Sequence, residues 1–213
     1  MSLENLTARR LVDVVVAGGA LVLVGPLLGV LALAVRATSP GPAFFRQARV
    51  GRGGRPFLLL KLRTMWHGAA GPSVTGAVDA RITPVGRFLR RWKLDELPQL
   101  VNIVRGDMTL LGPRPEVPVY LDRLGPAGRD YAALQPGLAD AATLVFYDEG
   151  ELLAGASDPE RHYVERILPE KARLSVAYAR ERTLASDLRL VWALGKRIAG
   201  RGAPAPAWQH GHR

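Results

Sequence analysis

Apolar positions along this chain form one long block, then short runs whose period changes from two to between three and four. Residues 11–35 are the block, 25 positions in which Asp13 carries the only charge. As one helix it measures about 37 Å, enough to cross a bilayer. Gly25-Pro26 lies near its middle, where proline removes a hydrogen bond and kinks a helix, so the pattern predicts helix, break, helix. Each limb, on the order of 12 residues, is too short to span. Arg9 and Arg10 precede the block and Arg36 follows it, and basic flanks stay on the cytoplasmic side. A re-entrant segment that enters and leaves by one face satisfies both features, with Asp13 near the interface. A single crossing, in which proline is tolerated, and a cleaved signal peptide, for which the run is long and carries Gly-Pro, are the other readings.

Beyond the block the period falls to two. Residues 43–50 and 56–64 predict a hairpin turned at Gly51-Arg52-Gly53-Gly54, with Lys61 and Arg63 on one face of its second strand. Such a pair fits either a ligand site or a cationic edge that discourages aggregation. Residues 68–76, rich in glycine and small residues, predict a mobile loop. Thr83-Pro84 opens a short helix with Phe88, Leu89 and Trp92 on one flank, a pattern that suits a membrane interface or a core face. Asp158-Pro159-Glu160 reads as a cap and first turn, before a helix that Pro169 interrupts or restarts. A later helix runs from Ser186 toward Ile198. Residues 201–213 predict a disordered tail.

Charge changes this picture. The net charge is +10, and all of it lies in residues 1–115, which hold 16 Lys or Arg against 6 Asp or Glu. Such a field favours phosphates, nucleic acid or anionic lipid, or is a solvated face. The absence of cysteine excludes disulfides, thiol nucleophiles and thiolate metal sites. The four histidines show no metal-ligand spacing, and no glycine-rich nucleotide motif or serine-hydrolase elbow is present.

Within the basic stretch stands Leu94-Asp95-Glu96-Leu97-Pro98-Gln99-Leu100. Asp95 suits a helix N-cap, Pro98 the first turn, and Gly106 the stop. Adjacent helical residues do not share a face, so both carboxylates serve one ligand only beyond the helix end. Carboxylates repel phosphates, so a pair held among arginines is bridged by a metal, reacts with the phosphate, or is a plain cap beside a solvated glutamate.

Five segments occur in one order: Phe45-Arg46-Gln47-Ala48-Arg49-Val50-Gly51, Lys61-Leu62-Arg63-Thr64-Met65, Thr83-Pro84-Val85-Gly86-Arg87-Phe88-Leu89-Arg90, the Asp95-Glu96 segment, and Leu111-Gly112-Pro113-Arg114-Pro115. Together they resemble the bacterial sugar transferase family, the small monotopic phosphoglycosyl transferases, from about Arg9 to Pro115 and more weakly to about Trp192. The resemblance implies transfer of sugar 1-phosphate from a UDP-sugar to polyprenyl (undecaprenyl) phosphate at the cytoplasmic face of the bacterial inner membrane. It implies Asp95 as nucleophile, with Glu96 helping to bind Mg²⁺ and the metal drawn to both carboxylates. Lys61, Arg63, Arg90, Pro113 and Arg114 are implied to bind substrate. Where many relatives have Pro-Gly-Ile-Thr-Gly, this chain has Pro136-Gly137-Leu138-Ala139-Asp140.

The fold expected is α/β of the α+β kind, short helices around a small hairpin or sheet on a re-entrant anchor. Residues 1–36 are the anchor, 37–200 the cytoplasmic catalytic part with interfacial helices, and 201–213 the tail. Membrane lipid is an expected partner and nucleic acid is not; the sequence leaves the sugar and the oligomeric state open. Two rivals stand: a membrane-tethered basic binding protein without catalysis, and a metal-dependent phosphohydrolase that uses water as acceptor.

Overall fold

The computed structural model describes residues 3–71, 74 and 79–200. Residues 72, 73, 75 and 76 of the expected 68–76 loop, and the whole 201–213 tail, therefore lie outside the described residues. The first element is α1, Leu3–Thr38, which continues through Pro26 without the expected interruption. Proline costs one hydrogen bond there, but packing holds the helix on both sides of it. Ala17, Leu21 and Val24 pack with Leu59, Leu100, Ile103 and Met108, while Leu28, Leu31 and Val35 pack with Leu62 and Leu89. The opposite face, including Leu11, Val15, Val22, Leu23 and Val30, is exposed. Asp13 is buried and functional in packing: its carboxylate accepts the Thr109 hydroxyl (2.6 Å) and the Leu110 N–H (3.0 Å).

The hairpin is present as β1, Phe44–Val50, antiparallel to β2, Pro56–Leu62, with a 3₁₀ turn at Arg52–Gly54. Next comes α2, Pro84–Arg91, capped by Thr83, whose side chain accepts the Gly86 N–H (2.9 Å). A 3₁₀ turn at Leu94–Glu96 leads into α3, Gln99–Arg105, which Gly106 ends in the left-handed conformation (φ 95°). β3, Thr109–Leu111, pairs in parallel with β4, Gly137–Ala139. Between them lie α4, Pro118–Asp122, and α5, Pro126–Ala132.

After β4 come α6, Ala141–Val145, α7, Glu149–Ala154, and α8, Pro159–His162. A π-helical turn, Tyr163–Ile167, passes into α9, Leu168–Glu181, with Pro169 in its first turn; α10, Leu184–Ile198, follows. Proline there restarts a helix without breaking it, because a first-turn N–H has no partner to lose. A second core gathers Tyr120, Phe146, Leu153, Tyr163, Ile167 and Leu168. The architecture is thus mixed, mostly helical with two small sheets, on one long apolar helix.

Candidate active site

The end of β2 and the start of α3 are fixed to each other by one side chain. Asn102, fully buried, donates to the Leu58 carbonyl (2.8 Å) and accepts the Leu60 N–H (3.0 Å). Its amide supplies what a neighbouring strand would supply, so Lys61 is brought beside the carboxylate pair. Sequence reasoning missed Asn102; the available signal was one amide inside the apolar run Leu100-Val101-Asn102-Ile103-Val104.

Asp95 is not the cap that its sequence suggested. Lys93 and Pro98 hold the cap positions of the 3₁₀ turn and of α3. The Leu97 N–H takes the Leu94 carbonyl (3.3 Å), leaving Asp95 inside the 3₁₀ turn. Both Asp95 and Glu96 line a cleft of about 2550 Å³. Lys93 enters this turn at φ 54°, the one positive φ outside glycine among the described residues. Such a conformation costs on the order of 1–3 kcal/mol and persists only where its surroundings impose it. Here the ammonium of Lys93 lies 5.0 Å from the ring centre of Tyr147.

Glu96 is gripped by Arg114 in a two-pronged contact (2.9 and 2.5 Å), and Lys61 lies 3.5 Å from it. Burial pushes the pKa of Glu96 up, but Arg114 and Lys61 overcome this and hold it below the usual carboxylate range. The pKa of Asp95 is raised, by burial first and by the negative charge of Glu96 second, against the pull of Lys61, Arg90 and Arg114. Burial and the nearby Arg114 lower Lys61 to about 8, opposed by Glu96 and Asp95. One carboxylate is therefore locked in its charged form while its neighbour is made more basic, hence the better nucleophile.

Arg90 donates from Nε to the Thr64 hydroxyl (2.8 Å). Thr64 is itself placed by a close approach: its carbonyl accepts the Thr83 N–H (3.0 Å), and a Cβ on Gly86 would meet that oxygen at 2.0 Å. Lys61, Arg90, Asp95, Glu96 and Arg114 thus converge, as their motifs suggested.

Two expected ligand residues do other work. Arg63 is buried, and its guanidinium grips the Ser39 carbonyl (2.8 Å), the Ser39 hydroxyl (2.9 Å) and the Pro40 carbonyl. A cation there satisfies the carbonyls at the C-terminal end of α1, and Arg63 lines the same cleft as Asp95 and Glu96 while holding this end in place. Pro113 is buried and its carbonyl accepts the Gly137 N–H (2.8 Å). In the divergent segment, Asp140 caps α6, accepting the Thr143 N–H (3.0 Å).

Among the described residues no group of three or more His, Asp or Glu side chains gathers as a cation cage. Mg²⁺ commonly takes only one or two carboxylates and draws its other ligands from substrate phosphates and water. Adjacent Asp95 and Glu96 on a cleft wall fit a metal of that kind, held jointly with a diphosphate.

Comparison with known proteins agrees with this geometry. The bacterial sugar transferase family matches residues 4–200. A UDP-glucose:undecaprenyl-phosphate glucose-1-phosphate transferase of Caulobacter vibrioides is 49% identical over 63% of this chain, which spans 52% of that protein. A protein of the same name from Xanthomonas campestris is 34% identical over 91% of this chain and 39% of its own length. A putative undecaprenyl-phosphate N-acetylgalactosaminyl 1-phosphate transferase of Bacillus subtilis is 42% identical over 55% of this chain and 67% of its own. This chain belongs to the bacterial sugar transferase family.

Proposed function

We propose that this protein transfers sugar 1-phosphate from a UDP-sugar to undecaprenyl or a related polyprenyl phosphate and releases UMP. The observation that carries the proposal is the Asp95–Glu96 pair on the wall of one cleft with Lys61, Arg90 and Arg114, Arg114 bonding both Glu96 oxygens. A carboxylate oxygen of Asp95 attacks the β-phosphorus, and the bond from that phosphorus to the bridging oxygen of UMP breaks. A phosphosugar remains on Asp95. A phosphate oxygen of the polyprenyl phosphate then attacks the same phosphorus, the Asp95–phosphorus bond breaks, and the carboxylate is restored. Splitting one exchange into two displacements is the usual benefit of a covalent intermediate.

Lys61, Arg90 and Arg114 bind and orient the phosphates as fixed positive charges, Arg114 with the N–H groups left over from its grip on Glu96. Mg²⁺, when bound, screens the diphosphate and stabilises the departing phosphate, and Asp95 and Glu96 would hold it. The cleft exceeds an ordinary single-ligand pocket of roughly 300–1,000 Å³, which suits a nucleotide donor and a lipid-linked acceptor in turn. Its apolar end includes Gly29 and Leu33 of α1 with Phe88 and Trp92 of α2, a lining suited to an isoprenoid chain.

The same reading places α1 in the inner membrane with both ends on the cytoplasmic side. At one end Arg10 donates to the carbonyls of Ile103 (2.5 Å) and Val104 (2.7 Å); at the other Arg63 holds Ser39. One folded unit thus holds α1 at both ends and on both sides of Pro26, so both ends lie on the side of the membrane where that unit lies.

The test is UMP release from purified protein in detergent or nanodiscs with Mg²⁺, using UDP-glucose, UDP-N-acetylgalactosamine and further UDP-sugars, with and without undecaprenyl phosphate. Sustained release that requires the acceptor, with at most a single equivalent of UMP per protein in its absence, is the expected result. Continued turnover without acceptor would mean hydrolysis, and no release with any donor would mean a binding protein.

A further inference from the structure

Arg114 stands on a segment with little regular structure, yet six main-chain groups of residues 111–116 are held by hydrogen bonds. Arg182 donates to the Leu111 carbonyl (2.8 Å), and the Gly112 N–H reaches the Ala139 carbonyl (2.9 Å). The Pro113 carbonyl accepts from Gly137 (2.8 Å), the Arg114 carbonyl from the Tyr131 hydroxyl (2.5 Å), the Pro115 carbonyl from Arg49 (2.9 Å), and the Glu116 carbonyl from Val50 (2.9 Å). These donors come from β1, the start of β4, α5 and the α9–α10 junction. Pro113 and Pro115 also freeze one dihedral on either side of Arg114. Gly112 and Gly137 meet so closely that a Cβ on Gly137 would lie 2.4 Å from the Gly112 nitrogen.

The strap is tied at its far end through a side chain. The buried carboxylate of Glu116 accepts from the Tyr163 hydroxyl and lies 3.5 Å from Lys171 Nζ. Lys171 also contacts the Tyr163 hydroxyl (3.2 Å) and Glu149 (2.8 Å). Tyr163 begins the π-helical turn, a feature often found at functional positions. Neither tyrosine hydroxyl touches the carboxylate pair, but both reach the strap that carries Arg114.

We infer that Tyr131 and Tyr163 are positioning residues which, by holding residues 114–116, set the Arg114 fork on Glu96 and with it the charge that faces the substrate phosphates. Resting on the transfer reaction proposed above, this assigns two hydroxyls a kinetic role through Arg114. A displacement of about 1 Å at such a group can cost on the order of 100-fold in rate, so the loss of either hydroxyl should be visible in catalysis before it is visible in stability.

Tyr131→Phe and Tyr163→Phe each delete one oxygen and keep the ring. Each is expected to raise KM for the UDP-sugar, lower kcat/KM by about tenfold or more, and leave Tm within a few degrees of wild type. In an Arg114→Lys background, where the fork is already gone, Tyr131→Phe should add little, because residues acting as one unit are not additive. Full additivity, or an unchanged KM, overturns the inference; so does a loss of activity that only tracks a loss of folded protein. Calorimetric binding of inorganic pyrophosphate with Mg²⁺ carries the comparison without turnover. Equal affinity in wild type and Tyr131→Phe would refute the positioning role, whereas a wild type that releases no UMP would refute the transfer reaction.

Discussion

Asp95→Asn keeps the size and polarity of the side chain but removes the carboxylate that the proposed reaction uses as nucleophile. Turnover should fall by at least about 10³-fold, the scale seen when a covalent nucleophile is removed, while Tm and membrane association stay near wild type. Wild type given UDP-sugar alone should carry phosphosugar on Asp95, which mass spectrometry of a quenched reaction can locate; a label on another residue would discard the assignment. Arg114→Lys retains charge but loses the two-pronged grip on Glu96, and should lower kcat/KM by roughly 10- to 100-fold, the equivalent of about 1.5–3 kcal/mol for a charged hydrogen bond. Lys61 gives a test in pH. With its pKa lowered to about 8, it is charged below that value and neutral above it, so kcat/KM for the donor should fall as pH rises through about 8. Arginine keeps its charge across this range, so Lys61→Arg should shift or abolish that alkaline limb. The raised pKa of Asp95 acts in the opposite sense, moving the acid limb above the ordinary aspartate value.

At the scale of elements, most of what positions these groups is a close approach between two backbones. The N-terminus of α2 reaches Thr64 only because Gly86 has no side chain, and the residue after β3 packs on the start of β4 only because Gly112 and Gly137 have none. Gly137→Ala should therefore destabilise the fold by about 1–3 kcal/mol, as overpacking does, with a lower Tm in a thermal melt. An unchanged Tm would mean that the strap has slack. The outer face of α10 behaves differently. Leu184, Leu188, Val191 and Trp192 recur at helical spacing and are all more than half exposed, although ordinary core-facing helices bury such a stripe. Leu188→Asp with Val191→Asp should weaken flotation with anionic vesicles and leave Tm almost unchanged. Vesicle binding equal to wild type would mean that α10 does not rest on lipid.

For the molecule as a whole, the question is where α1 lies. Since the chain has no cysteine, Ala8→Cys and Ala37→Cys, both at exposed positions, can each be labelled alone. In intact cells an impermeant thiol reagent should reach neither, because both ends of α1 are held by one folded unit. Labelling of Ala8→Cys alone would establish a crossing and with it remove the one-sided arrangement.

The sequence by itself determined the local features: the apolar length of α1, the hairpin, the Thr83 and Asp158 caps, the Gly106 stop and the basic residues around Asp95-Glu96. These follow from periodicity, proline and glycine chemistry and charge, which act over a few residues and are written in order along the chain. Tertiary structure alone decided which of several similar residues does what. Lys61 and Arg63 share a strand face in sequence, yet one meets Glu96 and the other the end of α1. Asp95 resembled a cap until a 3₁₀ turn took it in and α3 began at Gln99, and Gly25-Pro26 resembled a break until packing on both sides carried the helix through. Other outcomes turn on a partner 17 to 96 positions away: Asn102 for β2, Tyr131 for Arg114, Thr109 for Asp13. Hydrogen bonding and burial are properties of contact in space, so a pattern read along the chain holds the donor and the acceptor without saying that they meet.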